Sequence, residues 1–410
     1  MSATLCAVPW VHLNFEPDGK VVPCCLTSTH NYHSGDLNTD TIEEIWNSPN
    51  QRTLRQQMLA GEKPKICAKC YEREAVTGES SRVYRNREFR HVIPIIPSIT
   101  LEDGTCTDPR IRYWDFRFSN LCNYKCRSCG PRYSSSWVPD AKKMGWISEQ
   151  DKVWNIQSVN DSSKLAWLEE GVKHVERIYF AGGEPLLMPE HWYILDLLVK
   201  HKRFDVHIRY NTNASTLEYQ GRNVLDIWRL WNPGQIEVWP SIDEIGARAE
   251  LIRSGTRWAT VDANLRAISQ LENVVLRPGM TIGAWNVLRI PEIVREMVRL
   301  GVVSHRHKYT NFFINLIHDP RHYHVSVLSD GLRAQAILGI QNFITEWRAT
   351  YGSDITDRFV ELLHHLSQPH DPNAARNFAH TTVKLDRIRN ESTADTIPQV
   401  KWVIDTYGPN

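Results

Sequence analysis

The stretch Asn120-Leu-Cys122-Asn-Tyr-Lys-Cys126-Arg-Ser-Cys129-Gly-Pro131 decides how the rest of the sequence is interpreted. Its cysteines have the spacing CX3CX2C, and they follow a largely apolar run at 113–118 that is predicted to be a strand. A helix could also turn these cysteines toward a buried core, but Asn123, Gly130 and Pro131 favour a loop. We therefore expect three thiols to converge on one loop after a strand.

Three thiols on one loop indicate an iron–sulfur cluster with an open iron. Structural zinc takes four ligands, and the sequence offers no fourth one nearby. A 4Fe–4S cluster also normally takes four cysteines, so a set of three leaves one iron free to bind a substrate or cofactor. The predicted ligands of this reactive cluster are Cys122, Cys126 and Cys129.

Length, charge and cysteine distribution limit the alternatives. At 410 residues the chain exceeds one ordinary core, so a main domain with smaller units is expected. The 48 basic and 47 acidic residues create no broad field for nucleic acid or anionic lipid, which disfavours both as partners. Because the chain lacks a signal peptide and any run long enough to cross a bilayer, we predict a soluble, cytoplasmic protein with no membrane partner. Its nine cysteines, all within the first 129 residues, are then expected to be metal ligands or catalytic groups.

The region after the N-terminal third alternates short apolar runs with longer amphipathic ones. The predicted strands are 113–118, 177–181, 205–210, 235–240, 274–276 and 312–317. Helical patterns between them include 192–200, 261–271 and 291–300. About six parallel strands with helices between them predict an α/β fold, a full or partial barrel whose site lies at the carboxyl ends of the strands.

Four regions are predicted along the chain. Residues 1–75 form a small cysteine-rich unit with a helical stretch at 41–59, and 76–108 form a linker without a sustained period. Residues 109–329 form the partial (β/α)6 barrel. Residues 330–410 form a helical C-terminal extension, with helices at 332–350 and 355–366 and a polar tail.

Several segments beyond the cysteine loop resemble the radical S-adenosylmethionine (SAM) superfamily. Gly182-Gly183-Glu184-Pro185 resembles its GGEP segment, in which exposed backbone and the glutamate hold the amino group of SAM. Paired glycines let a ligand approach the backbone closely, although a strand-ending turn would also explain them. Asn211-Thr212-Asn213 resembles its TNG-like strand end, except that Ala214 replaces the glycine.

A further segment resembles the part of these enzymes that binds the carboxylate of SAM. Ser241-Ile-Asp243 begins a run that ends at Arg253, and family members use such a serine on the ribose or carboxylate of SAM and an arginine twelve residues on. The resemblance implies that Arg253 clamps the carboxylate, because a guanidinium makes two charge-assisted hydrogen bonds to that group. An ordinary surface ion pair is the alternative.

The adenine contacts are less well defined. Leu316 and Ile317 follow the sixth predicted strand and could border adenine, although core packing explains them as well. Ser128 stands where the superfamily often has an aromatic residue before the third cysteine. The substitutes offered by the sequence are Tyr124, Tyr133 and Trp137.

The N-terminal cysteines have their own pattern, CX12GX4C followed after a gap by CX2C. It resembles the twitch unit, a shortened SPASM domain whose four cysteines fully ligate an auxiliary 4Fe–4S cluster. The ligands implied by this resemblance are Cys6, Cys24, Cys67 and Cys70. The unit usually follows the barrel, whereas here it precedes it, and a zinc ribbon on the same four cysteines remains an alternative. Cys25 and Cys106 are unassigned.

The resemblance implies an oxidoreductase-type enzyme in which one electron splits SAM at the open iron into methionine and a 5'-deoxyadenosyl radical. That radical would abstract hydrogen from a peptide or small molecule, which is then oxidised or crosslinked with help from the auxiliary cluster. The implied partner is an external one-electron reductant such as flavodoxin or ferredoxin. The alternatives are an iron–sulfur electron-transfer or binding protein without SAM cleavage, and a zinc-stabilised nucleic-acid binder. No catalytic side chain is assigned, since Cys25, Cys106 and tyrosines at the rim are equally defensible.

One histidine-rich tract follows the sixth predicted strand, His318-Asp319-Pro-Arg321-His322-Tyr-His324. Imidazole and carboxylate are good metal ligands, so the tract has the composition of a metal site. A position on the rim of the barrel, where Asp319 or His322 touches substrate, is the interpretation that we favour from sequence.

Overall fold

The computed structural model describes residues 4–27, 32–148, 162–303, 313–351 and 353–409. The first residue of the predicted strand 312–317 therefore lies outside the described residues. The chain divides into two compact units, one of Met1–Asn120 with Trp154–Arg209 and one of Leu121–Val153 with Tyr210–Asn410.

The bounds of the regular elements are as follows. The strands β1 to β14 are His12–Phe15, Lys20–Val22, Gly35–Asp36, Tyr113–Phe116, Lys125–Cys126, Arg177–Phe180, His207–Thr212, Glu218–Tyr219, Arg222–Asn223, Ile236–Pro240, Arg253–Ser254, Val274–Leu276, Gly279–Ile282 and Phe313–Leu316. The helices α1 to α16 are Ile42–Trp46, Pro49–Leu59, Ala68–Thr77, Ser81–Glu88, Val138–Met144, Ser162–Gly171, Pro189–Lys200, Val224–Trp228, Gly246–Ile252, Trp258–Ser269, Ile290–Arg299, Asp330–Tyr351, Ser353–Leu366, Pro372–Arg389, Thr393–Thr396 and Lys401–Tyr407. None of the described helices combines the length and the apolar character needed to cross a bilayer.

The first unit is built on a sheet in which the N-terminal region takes part. Its strand order is β6-β4-β1-β2-β3, with β1, β4 and β6 parallel and β2 and β3 antiparallel. Strand β1, from the predicted cysteine-rich unit, pairs in register with β4, so that His12 lies opposite Tyr113. All four residues of β1 are buried. The N-terminal cysteines are therefore tied to the barrel-type sheet through β1.

The second unit repeats the parallel arrangement. Strand β10 pairs with β12 and β13 pairs with β14, while Ser241 forms a parallel bridge to Gly279. The sequence pattern does not predict strand β13. Only Arg277 and Pro278 separate it from β12, so the two strands have no helical pattern between them. The α/β prediction is confirmed, since the larger strands are mostly parallel and helices lie between them in the chain.

Two predictions in the first unit need correction, that of one helical stretch at 41–59 and that of a linker at 76–108. The stretch 41–59 is two helices, because Thr41 caps α1 with a capping box and Ser48 caps α2 ahead of Pro49. The predicted linker 76–108 contains α4 and the 3-10 segment Ile93–Ile99. The side chain of Asn86, on α4, accepts from the amide of Ala7 and donates to the carbonyl of Leu5, both at 2.8 Å.

The predicted polar tail after residue 366 is also wrong, because helices α14, α15 and α16 follow. Its start and stop signals are present in the sequence: Asp371 caps α14 by accepting from the amide of Ala374 at 3.0 Å, and Asn390 ends it with φ +54°. The many polar residues of α14 obscure a narrow buried face that includes Phe378 and Leu385. The helical C-terminal extension is confirmed in this form.

One buried arginine ties together the first unit around its cysteine-rich part. Arg55, on α2, is fully buried and donates to Pro9 O at 2.9 Å, Trp46 O at 2.8 Å and Asn47 Oδ1 at 2.9 Å. Its guanidinium also lies 4.6 Å from the ring centroid of Trp46. Burial lowers the pKa of Arg55 to about 10, so the group is still charged at neutral pH.

We expect Arg55→Met to lower the free energy of unfolding by about 3 kcal/mol or more, because it leaves several buried acceptors without a donor. The matched control is Arg52→Met on the same helix, where an exposed ion pair with Asp103 is lost at a cost below about 1 kcal/mol. Urea unfolding of the full chain measures both. Equal shifts in the two variants would show that Arg55 has no special structural role.

Candidate functional site

The CX3CX2C loop is held by a short antiparallel ladder. Strand β5 pairs with β11, so that Cys126 lies opposite Arg253, and the amide of Arg127 donates to Ile252 O at 2.7 Å. The amide of Cys129 donates to Cys126 O at 3.0 Å, and Trp137 Nε1 donates to the same carbonyl at 2.7 Å. The backbone between the second and third cysteines is thus fixed by contacts of its own amides and carbonyls, which do not use the sulfur atoms.

Hydrogen-bond donors surround the sulfur of Cys122. Asn213, just past the end of β7, has its Nδ2 3.8 Å from Cys122 Sγ and 2.9 Å from Asn123 Oδ1. The amide of Tyr124 lies 3.4 Å from the same sulfur. Amide donors stabilise a thiolate and tune the potential of a cluster that it ligates. The sequence predicts that Asn213 contacts SAM, and the structure brings it to the first cysteine of the loop.

Arg253 is placed beside the loop by a buried carboxylate. Its Nη1 donates to Asp243 Oδ2 at 2.7 Å, while Asp243 Oδ1 accepts from the amide of Thr281 at 2.8 Å. Burial alone would lower the pKa of Arg253, but Cys126 and Asp243 outweigh it and hold the pKa above its ordinary value. Its Nε is buried and has no hydrogen-bond partner among the described residues. A cationic donor is therefore available for an anion at this position.

The other predicted cofactor contacts of the second unit differ in exposure. Asn211 carries a buried Oδ1 without a hydrogen-bond partner among the described residues. Ser241 and Leu316 are half-buried at the ends of β10 and β14, whereas Ile317 is 4% exposed and packs in the core. These positions line the carboxyl ends of the strands, where the sequence predicts the site.

The suggestion that Trp137 contacts adenine is wrong. Its side chain is fully buried in a cluster with Ala141, Met144 and Leu385, beneath the cysteine loop. Tyr124 is almost as buried, at 3% exposed, and Tyr133 is the half-buried alternative.

Sequence reasoning missed a set of charges that supports the loop from the C-terminal extension. Arg127, 2% exposed, donates through Nη2 to Asp386 Oδ1 and Glu391 Oε2, both at 2.5 Å. Arg389 donates to Asp140 Oδ2 at 2.7 Å, and its guanidinium lies 4.5 Å from the ring centroid of Trp137. Arg127 and Asp386 are 259 residues apart, so no local spacing could have indicated the pair.

The glycine pair lies in the first unit. Gly182 has φ +105°, and a Cβ there would come within 2.9 Å of Arg117 Cβ, so only glycine fits this turn. Glu184 is buried and caps the 3-10 segment Pro185–Leu187 by accepting from the amide of Leu186 at 3.2 Å. The segment is thus a tight turn with a buried carboxylate, as a backbone binding loop would require.

The four N-terminal cysteines of the predicted set line one pocket of the first unit. Much of its wall is apolar, including Val8, Pro9, Leu54, Met58 and Ile66. Burial raises the pKa of Cys6 and Cys24, and raises the pKa of Cys67 to about 12. Such thiols become thiolates only when a metal supplies the compensating charge. Cys25, which is exposed, and Cys106, whose Sγ lies 3.4 Å from Asp108 O, do not line the pocket.

The spacing of the thiols can be compared with that of a formed zinc site. Zinc bonds of about 2.3 Å bring tetrahedral thiolates to roughly 4 Å from one another. Within the described part of the chain, neither cysteine set contains three ligand atoms within 4.8 Å of one another. Both sets are therefore more open, in the metal-free structure, than a formed zinc site.

Comparisons with known proteins agree with this chemistry. Residues 116–271 match the family model of the radical SAM superfamily, and residues 6–71 match SPASM, an iron–sulfur cluster-binding domain. The chain is 26% identical over 119 residues to the GTP 3',8-cyclase of Aliarcobacter butzleri (strain RM4018), a match that covers 28% of this chain and about a third, 32%, of that protein.

Similar solved structures include native anSMEcpe with bound AdoMet, at 16% identity and a TM-score of 0.40, over 60% of this chain and 64% of that one. Streptococcus suis SuiB bound to S-adenosylmethionine is similar at 11% identity and a TM-score of 0.35, over 84% of this chain and 69% of that one.

We expect Gly255→Ala to displace the cysteine loop. Gly255 has φ +104°, and a Cβ there would lie 2.8 Å from Asn123 O and 3.2 Å from Tyr124 Cδ1. The expected result is less iron bound after anaerobic reconstitution, together with a lower melting temperature.

Gly221→Ala is the matched control, because Gly221 has φ +77° but no atom lies within 4 Å of the position that a Cβ would take there. That variant carries only the left-handed backbone cost of about 1–2 kcal/mol and should keep its iron. Equal iron contents in the two variants would contradict the close approach of Gly255 to the loop.

Proposed function

We propose that the chain is a radical SAM enzyme that cleaves SAM reductively and abstracts hydrogen from a substrate, because residues 116–271 match the radical SAM superfamily and residues 6–71 match the SPASM iron–sulfur domain. The two domains imply two 4Fe–4S clusters and SAM as cofactors. When bound at the CX3CX2C loop, cluster and SAM together supply a 5'-deoxyadenosyl radical.

The observation that carries this proposal is the environment of the Arg253 side chain. It lies opposite Cys126 in the β5–β11 ladder, is held by the buried Asp243, and keeps a buried Nε without a partner among the described residues. A fixed guanidinium that is largely shielded from water, next to a proposed cysteine ligand, fits the carboxylate of a SAM molecule bound at the same loop. We propose Cys122, Cys126 and Cys129 as the cluster ligands.

Other residues of the loop and strand ends receive distinct roles in this proposal. Asp243 orients Arg253, because both of its oxygens have protein partners, and Asn213 donates toward Cys122. The orphaned Oδ1 of Asn211 suits a ligand donor such as an amino or hydroxyl group. The remaining predicted SAM contacts rest on the family resemblance alone. They are Gly182, Gly183, Glu184, Pro185, Ser241 and Leu316.

The second cluster is proposed to be held by Cys6, Cys24, Cys67 and Cys70. The largely apolar wall of their pocket would surround that cluster with a low dielectric on most sides. With every iron ligated by protein, such a cluster would supply an electron acceptor for the substrate rather than an iron that binds SAM. The proposed reaction is therefore oxidation or crosslinking of a peptide or small molecule, with flavodoxin or ferredoxin as the external reductant.

The proposal predicts that the protein forms 5'-deoxyadenosine from SAM after anaerobic reconstitution and reduction by dithionite.

Arg253→Gln should weaken SAM binding by roughly ten- to a hundredfold, because a hydrogen bond to a charged group is lost. The exposed Arg257→Gln, four residues on, is the control and should leave SAM binding unchanged. An electron-transfer protein without SAM cleavage would give no 5'-deoxyadenosine at all, and equal SAM affinities in the two variants would remove Arg253 from the site.

A separate prediction concerns the auxiliary cluster. Replacing Cys67 and Cys70 by alanine should remove about half of the iron, that of one of two 4Fe–4S clusters, while SAM-dependent cleavage persists. Cys25→Ala, which alters an exposed cysteine outside the pocket, should keep all of the iron. Loss of zinc with unchanged iron in the double variant would instead establish the zinc-ribbon alternative.

A further inference from the structure

Three histidines of the second unit converge at a place that neither cluster uses. His318 lies two residues after β14, His324 precedes the 3-10 segment Val325–Val327, and His365 lies near the end of α13. Each offers a ring nitrogen within 4.8 Å of the nitrogens of the other two. The ring centroids are 5.0 Å apart for His318 and His365, and 5.9 Å apart for the other two pairs.

The buried member of this trio has an unmatched nitrogen. His324 is fully buried, and its Nε2 has no hydrogen-bond partner among the described residues. A buried polar atom without a partner is costly unless a ligand or ion satisfies it. The other two members are accessible, since His318 is exposed and His365 is half-buried.

Ser326 supplies the contact that lets the Nε2 of His324 act as a ligand. The Nδ1 of His324 accepts from the amide of Ser326 at 3.1 Å and lies 2.9 Å from its hydroxyl oxygen. In the metal-free protein the ring proton is therefore on Nε2. When an ion binds, this proton moves to Nδ1 and is donated to the Ser326 hydroxyl, the amide of Ser326 gives up its bond to Nδ1, and the lone pair on Nε2 becomes available. The total number of protons does not change. A ligating histidine is normally held in this way by an acceptor on its other nitrogen.

We propose that His318, His324 and His365 bind a divalent metal ion of borderline softness, for which Zn²⁺ is the representative. Neutral imidazoles favour such ions, and bonds of about 2.0–2.1 Å in a tetrahedral site place the nitrogens roughly 3.3 Å apart, so nitrogens within 4.8 Å of one another need to approach by at most about 1.5 Å. His318, exposed and just past a strand end, has the freedom to make that approach. A three-histidine set leaves one coordination position open, as catalytic rather than structural zinc sites do.

The position of the ion indicates what its open coordination site would hold. Leu316, at the carboxyl end of β14, is separated from His318 by a single residue. The carboxyl ends of parallel strands are where ligands bind in α/β folds. The fourth ligand is therefore a water molecule or an oxygen donor of a substrate. This site does not depend on SAM cleavage, because it uses none of the proposed cluster ligands.

The test is a Zn²⁺ titration against a competing chelator, on full-length protein whose clusters have been reconstituted so that their cysteines are occupied. One high-affinity ion per chain is expected for the wild type, and His318→Ala should abolish it. Because His318 is exposed, that variant keeps the fold. His364→Ala is the matched control on the same helix as His365, outside the trio, and should keep the ion.

A second variant tests the role of Ser326. Ser326→Ala removes only the hydroxyl acceptor and should weaken Zn²⁺ binding by roughly ten- to a hundredfold.

The proposal is overturned if wild type binds no ion beyond its clusters, if His318→Ala binds as tightly as wild type, or if His364→Ala loses the ion to the same extent as His318→Ala. Unchanged affinity in Ser326→Ala would overturn the assignment of Nε2 of His324 as a ligand.

Discussion

The candidate site depends on the pairing of Cys126 with Arg253. Burial raises the pKa of the Cys126 thiol, and the guanidinium opposite it acts in the other direction. The backbone ladder fixes the distance between these two residues, so a proposed cluster ligand and a cation are brought together by main-chain geometry rather than by flexible side chains. Asp243 completes the arrangement, because its carboxylate is itself held by the amide of Thr281. The result is a partly buried cation whose orientation does not need to be established when an anion binds.

Buried thiols impose a second constraint on the chain. In both cysteine sets burial raises the pKa of thiols, which makes the metal-free thiolate unfavourable. A metal cluster held by these thiols would remove that penalty, so that cofactor binding and local folding would be coupled in the two regions. The N-terminal set is anchored by β1 to the parallel sheet and by Arg55 to its own helices. The CX3CX2C loop is anchored by the C-terminal extension through Arg127 and Arg389, which gives that extension a structural reason to be present.

The histidine trio shows how a fold can combine residues that have no sequence relation. His318 and His324 come from one tract, but the third nitrogen belongs to His365, on a different helix. The sequence favours contact between that tract and a substrate through Asp319 or His322, and it gives no sign of a partner from α13. The approach of α13 to the tract is what turns two histidines into a set of three. An imidazole set thus lies just beyond the end of β14, with a metal preference different from that of the cysteine loop.

The sequence by itself determined the chemistry that depends on local spacing. The two cysteine patterns, the glycine pair and the strand–helix alternation all act over short stretches, so the predicted ligand sets and the α/β fold could be argued before any coordinates. Only the tertiary structure decided which groups from distant parts of the chain contact and support these local motifs. Pairing of β1 with β4, the support of the loop by Asp386 and Glu391, and the burial of Trp137 arise from packing between segments far apart in the chain. Local patterns carry no information about such contacts, because the free energy that selects them comes from surface that is buried only when the whole chain has folded.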